Sequence, residues 1–257
     1  ENNRGKYRVF RMLGPAFVAA VAYVDPGNFA ANFSAGAKYG YLLLWVLVVA
    51  NVMAMLVQYL SAKVGLVTGK SLPEVVAEKL GRKTRLAYWF QAELVAIACD
   101  IAEVVGGALA LNMLFGVPML LGGVIVGAVS MLLLLIYNKP EKKYFERTIM
   151  GLMLIIPLGF IVGLFQHPPS ISGVASGLVP QFAGADTLLL ATAMLGATIM
   201  PHVVYLHSAL ARDRHGKVAK RELASYLRAT KFDVGIAMVV AGSVNIAMLL
   251  LAASALN

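Results

Sequence analysis

An apolar run from Leu13 to Val24 meets Asp25-Pro26-Gly27-Asn28 and resumes over Phe29–Ala37, where Asn32 and Ser34 are mild polar interruptions. Such a stretch is long enough to cross a bilayer, yet it carries a carboxylate in its middle. A charge at membrane depth is costly and marks a functional site by default. Pro26 withdraws a backbone donor and Gly27 widens the accessible φ, so a helix breaks there. Leu13–Val24 as a helix reaches about 18 Å into a hydrocarbon core of about 30 Å, which puts the break near the midplane. Broken helices with an anionic side chain at that depth are how secondary transporters bind small ions. The alternative is a turn between two short helices with Asp25 as an N-cap; it leaves Leu13–Ala37 with no end in water.

The rest of the chain agrees with a membrane setting. Hydrophobic residues make up 60% of it and charged residues 14%, against about 25% charged in a soluble domain. Apolar runs define seven spans in one transmembrane domain, 1–257: about 12–36 (broken), 41–62, 86–113, 118–137, 147–165, 187–210 (broken) and 233–256. The runs do not alternate, which excludes a β-barrel, and no short apolar segment precedes a small-residue cleavage site. A net charge of +9 would suit a nucleic-acid partner, but its distribution refutes one. Of 22 lysines and arginines, 21 fall before span 1 or in the loops 2–3, 4–5 and 6–7, all on one side; Lys38 alone is on the other. The positive-inside rule then makes the N-terminus cytoplasmic. In the 2–3 loop, Ser71 with Glu74 three residues on predicts a short capped helix, Leu72–Leu80. A lone cysteine, Cys99, permits no intrachain disulfide and reads as a small buried residue.

Three polar groups lie inside the spans. Asp25 and Asn28, three residues apart on an unwound turn, can face one point, joined by freed main-chain carbonyls, and such an oxygen set suits a cation. In span 6, Ala197-Thr198-Ile199-Met200-Pro201-His202 interrupts another apolar run. Pro201 cannot donate to the carbonyl of Ala197, which is released. Met200 offers a thioether, a soft ligand that suits later transition metals better than Ca²⁺ or Mg²⁺. His202 and His207 lie five apart and need not share a ligand; no His-Glu-x-x-His motif supports a zinc protease. In span 3, Glu93, Asp100 and Glu103 have spacings of seven and three, one helical stripe. Three acids on one face, without a lysine or arginine inside the spans, read as a water-lined or proton-carrying wall. Breaks in spans 1 and 6, five spans apart, are the mark of an inverted five-helix repeat.

These residues resemble the Nramp family of proton-coupled divalent-metal transporters. The resemblance rests on Asp25-Pro-Gly-Asn28 with Met200-Pro201-His202, on Tyr205-Leu-His207-Ser, and on Asp100-Ile-Ala-Glu103-Val-Val-Gly-Gly, and it runs along the whole chain. It implies an all-α integral-membrane protein of the LeuT-type inverted-repeat fold. Spans 1–5 would form the first repeat and spans 6–7 part of the second, which in the family continues through span 10. It implies multi-pass insertion in the inner (plasma) membrane and alternating-access import of Mn²⁺ and Fe²⁺, with Cd²⁺ and Co²⁺ accepted. The metal is cargo, so no resident cofactor and no enzyme activity is implied; the partners are metal ions, protons and the lipid bilayer. Carried over, the metal ligands are the Asp25 and Asn28 side chains, the Ala197 carbonyl and the Met200 sulfur. The proton route takes in Asp25, Glu93, Asp100, Glu103, His202 and His207. Rival readings fit less well. A seven-span receptor has an outside N-terminus, and span 7 lacks a lysine for retinal. A sodium-coupled carrier of a small organic substrate of the same fold leaves Met200 without a role and sets Asp25 against a substrate carboxylate. A channel needs no acidic wall.

Overall fold

The computed structural model describes residues 22–137 and 155–257, together with Ala16 and Ala20. All its described elements are helices: α1 Pro26–Tyr39, α2 Leu44–Thr68, α3 Leu72–Lys79, α4 Arg82–Phe115, α5 Met119–Tyr137, α6 Ile155–Gln166, α7 Ile171–Gly177, α8 Ala185–Thr198, α9 Pro201–His215 and α10 Lys220–Ala255. Four stretches are long and apolar enough to cross a membrane: Leu44–Thr68, Arg82–Phe115, Ala185–His215 and Lys220–Ala255.

Both expected breaks are present. Residues 22–25 are non-helical before α1 starts at Pro26. The span over 187–210 divides at Ile199 and Met200, where ψ turns to 75° and 117° and leaves the helical region. The helices overrun several of the boundaries expected from hydropathy. Span 2 extends to Thr68, where Gly69 closes it with φ 70°, and span 3 begins at Arg82. The largest difference is at span 7. Lys220–Lys231, expected in a loop, is the first third of the 36-residue α10. Its Leu223, Tyr226 and Leu227 recur at helical spacing and pack on Leu66, Ala211 and Val218, so an apolar face continues beyond the hydrophobic run. The short helix α7 was not legible in the sequence at all. Much of the expected 147–165 span and of the first half of span 1 lies outside the described residues.

Span 1 and α10 run side by side in the same direction. Near the start, the Ala16 amide donates to Asp233 Oδ2 at 3.1 Å. At the far end, Asn257 Nδ2 donates to the Ala37 carbonyl at 3.3 Å. Between these, Gly36 lies so close to α10 that a Cβ there would sit 2.5 Å from the Leu249 carbonyl oxygen and 2.7 Å from Ala252 Cβ. α2 packs on α9 in a similar way at Gly65, where a side chain would run into the Ser208 carbonyl. The result is a bundle of span 1, α2, α8–α9 and α10. α4 is attached to it at one edge and pairs mainly with α5, which leaves most of its surface uncovered by described residues.

Candidate metal site at two helix breaks

Asp25 is the N-cap of α1. Its Oδ2 accepts from the Gly27 amide at 3.2 Å and its Oδ1 from the Asn28 amide at 3.0 Å. The capping role of the alternative reading is therefore real, and it coexists with the break. Two main-chain donors thereby fix the Asp25 side chain at the start of α1.

Asn28 has no exposed surface and bridges the two breaks. Its Nδ2 donates to Asp25 Oδ1 at 2.6 Å and to the Ala197 carbonyl at 2.8 Å. That carbonyl is the one Pro201 leaves without a helical donor. Thr198 Oγ1 lies 3.2 Å from Asn28 Oδ1 and 2.8 Å from the Met194 carbonyl, so its hydroxyl hydrogen can hold the carboxamide from the other side. Ala197 sits at the C-terminal, negative end of α8, a polarity that suits a cation. The structure thus brings Asp25, Asn28 and Ala197 together. Met200 lies at the same break and is buried, but in an apolar cluster with Ala20, Tyr23, Val203 and Met238. No three His, Cys, Asp or Glu side chains cluster among the described residues, so this donor set mixes one carboxylate with an amide and a main-chain oxygen.

The acidic stripe meets the site at one point. Gly106 of α4 packs on Pro26, where a Cβ would lie 2.6 Å from the proline Cβ. Glu103, three residues earlier, is therefore one turn from the span 1 break and on the same side of α4. Glu93, Asp100 and Glu103 are exposed on the surface of the described chain, with no cation paired to them among the described residues. Cys99 is half-buried rather than buried.

Of the two histidines, His207 is buried, and its Nδ1 lies 2.7 Å from Gln58 Oε1. Gln58 Nε2 in turn donates to the Tyr23 hydroxyl at 2.8 Å. A polar chain thus joins α9, α2 and the turn just before Asp25. The Nδ1 of His202 is buried without a hydrogen-bond partner among the described residues. Sequence reasoning missed Tyr23, Gln58 and Thr198 as parts of this site. An uncharged amide in mid-span is a weak signal, although Gln58 interrupts an otherwise apolar run. Asn32, one turn past Asn28, is buried with neither polar atom bonded among the described residues, and the Oδ1 of Asn245 on α10 is likewise buried and unbonded there.

Two interrupted membrane helices that meet at a carboxylate, inside a bundle of apolar helices, define an all-α membrane transporter fold of the LeuT type. The family model "Natural resistance-associated macrophage protein-like", Nramp, matches residues 16–257, and the chain belongs to that family. Among curated relatives, the divalent metal cation transporter MntH of Mycobacterium tuberculosis is 58% identical over 94% of this chain and 57% of its own length. The protein of the same name from Yersinia pestis is 48% identical over 96% of this chain and 59% of its own length. The chain therefore spans somewhat over half the length of the curated relatives it matches. Among solved structures, a crystal structure of the Eremococcus coleocola manganese transporter with an aromatic bis-isothiourea substituted compound superposes with a TM-score of 0.83. It is 32% identical, and the match covers 96% of this chain and 52% of that one.

Proposed function

We propose that the protein containing this chain imports divalent transition-metal ions, Mn²⁺ and Fe²⁺ foremost, with Cd²⁺ and Co²⁺ accepted, in symport with protons. It works by alternating access in the inner (plasma) membrane, with its N-terminus in the cytoplasm. The observation that carries this reading is the Asn28 carboxamide, whose nitrogen lies 2.6 Å from Asp25 Oδ1 and 2.8 Å from the Ala197 carbonyl. An N–H group between two acceptors occupies the place where a cation would be held. Turned end for end, the same carboxamide directs its oxygen to that point and completes a set of three oxygens from two helix breaks. The cost is the pair of hydrogen bonds now made by Nδ2 together with the contact to Thr198, each worth roughly 0.5–1.5 kcal/mol net. The Coulombic attraction of a divalent ion to the Asp25 carboxylate works against that cost.

In this reading Met200 adds a soft ligand at the same break, and selectivity for transition metals over Ca²⁺ and Mg²⁺ follows. Asp25 serves both metal and proton, because a cation and a proton compete for one carboxylate. The proximity of Gly106 to Pro26 supports a route for the released proton along Glu103, Asp100 and Glu93. His207, held in place by Gln58, and His202 beside Pro201 supply further proton-accepting groups on the inner half of span 6.

The test is uptake of Mn²⁺ into proteoliposomes, with internal pH followed by a trapped dye. Wild-type protein is expected to acidify the lumen as Mn²⁺ enters. Asp25→Asn is expected to abolish both signals. Wild-type Mn²⁺ uptake by that variant would refute the assignment.

A further inference from the structure

A groove of about 720 Å³ opens between α3, the first turns of α4 and α9. Leu72 and Val76 form one wall, Arg85, Trp89 and Ala92 the other, and Tyr205 the back. The metal site does not use it. We propose that this groove binds one anionic phospholipid of the cytoplasmic leaflet, with its phosphate on Arg85 and an acyl chain along the apolar walls.

The order of chemistry along α4 carries the inference. Arg82, Arg85, Trp89 and Ala92 fall on one helical stripe, with Tyr88 beside it. Reading into the membrane, the stripe runs from two cations to two amphipathic aromatics to an apolar floor. That is the order in which a phospholipid presents phosphate, carbonyl region and hydrocarbon. The stripe lies where hydropathy turns, since Arg85 is the last basic residue before the apolar run of span 3. Tyr88 and Trp89 are 50% and 59% exposed, as befits an interfacial belt.

Local charge points the same way. The acids of α3 are already engaged: Glu74 pairs with Arg212 at 2.6 Å and Glu78 with Lys70 at 2.5 Å. Among the described residues no carboxylate pairs with Arg82 or Arg85. Basic pockets between membrane helices on the cytoplasmic side are sites for anionic headgroups. Leu72 and Val76 beside the cations extend the fit to an acyl chain, so a lipid fits better than a free anion.

The test uses tryptophan quenching by lipids with brominated acyl chains, in phosphatidylcholine vesicles holding the whole protein. Subtracting the signal of Trp45→Phe/Trp89→Phe from that of Trp45→Phe isolates Trp89. Brominated phosphatidylglycerol is expected to half-quench Trp89 at a mole fraction at least about fivefold below that of brominated phosphatidylcholine, given the attraction of each basic side chain for an anionic lipid. Arg82→Gln/Arg85→Gln is expected to erase the preference, and Arg82→Lys/Arg85→Lys to keep most of it. Equal quenching by the two lipids in wild type, or a preference that survives the glutamines, overturns the proposal. So does the absence of quenching by either lipid, which means that polypeptide covers the groove. Loss of the preference on adding soluble glycerol phosphate also overturns it, because the site then binds an anion without a lipid.

Discussion

The side-chain nitrogen of Asn28 reaches the main-chain oxygen of Ala197 across 2.8 Å, and this bond spans 169 positions of sequence. It joins the start of one interrupted helix to the end of another, so a single carboxamide registers the relative position of two breaks. Asn28→Ala removes the bond to Ala197 and the bond to Asp25 together, along with a proposed metal oxygen. We expect the apparent affinity for Mn²⁺ to fall by at least about tenfold, the equivalent of 1.4 kcal/mol. Asn28→Asp supplies oxygen without the donor and is expected to lose less. Concentration-dependent uptake in proteoliposomes measures both, and equal losses would mean that the donor matters rather than the ligand.

Gly106 offers a steric test of the contact between span 3 and the site. An alanine methyl there meets Pro26 Cβ at 2.6 Å, and the proline ring has no freedom to yield. Gly106→Ala is expected to cost about 1–3 kcal/mol and to slow uptake. The control is Gly123→Ala on α5, where the nearest atom, Val104 Cγ1, is 3.6 Å away and an extra methyl fits. Melting temperatures in detergent and initial rates of uptake are to be compared for the pair. Similar behaviour of both variants would show that α4 moves freely past Pro26.

Met200 bears on selectivity. An oxygen-only site prefers hard ions, whereas a thioether adds attraction for Cd²⁺ and Mn²⁺ and little for Ca²⁺. Met200→Ala is expected to keep part of the Mn²⁺ transport, weaken Cd²⁺ most, and let Ca²⁺ compete or pass. Ca²⁺ inhibition of Mn²⁺ uptake reads the change. If discrimination is unaltered, Met200 serves the apolar cluster it shares with Tyr23 and Met238.

The docking of α3 carries a pH dependence whose sign can be worked out. The Ser71 amide, then Arg212, then the Ser71 hydroxyl hold the Glu74 carboxyl down at about 2, from an ordinary 4.5. A depressed carboxyl contributes stability that is complete above its unfolded value and is lost as pH falls through its folded one. The mobility of a spin label at Lys79 should therefore be constant from pH 8 to about 5 and rise between about 4.5 and 2. Glu74→Gln should raise it above about pH 4.5 and flatten the profile, meeting wild type at the acid end. A label that loosens near neutrality would tie the docking to another group.

Local chemistry made part of this structure legible in the sequence. Pro26 and Pro201 forbid specific hydrogen bonds, so both breaks and the released Ala197 carbonyl could be located from sequence alone. The Ser71–Glu74 box marked α3 to within a residue, because the Ser71 amide and hydroxyl both find the Glu74 carboxylate. Hydropathy fixed where α2, α4 and α10 are apolar but not where they end. Lys220–Lys231 stays helical through contacts with Leu66 and Ala211, which lie far away in sequence. α7 has no apolar run or periodicity to announce it, and its close packing on Tyr41 is tertiary. The partners of Gln58 were hidden for the same reason, since nothing near position 58 points to Tyr23 or His207.

The orientation of Gln58 has a consequence for His207. With Nε2 committed to the Tyr23 hydroxyl, only the carbonyl oxygen of Gln58 faces the imidazole, and that oxygen can do nothing but accept. Neutral His207 is thereby held as the tautomer that carries its hydrogen on Nδ1. The lone pair then resides on Nε2, on the far edge of the ring. Any proton taken up by this histidine adds at Nε2 and leaves in place the bond to Gln58, and through it the link to Tyr23. The amide of span 2 thus selects which ring nitrogen is the base.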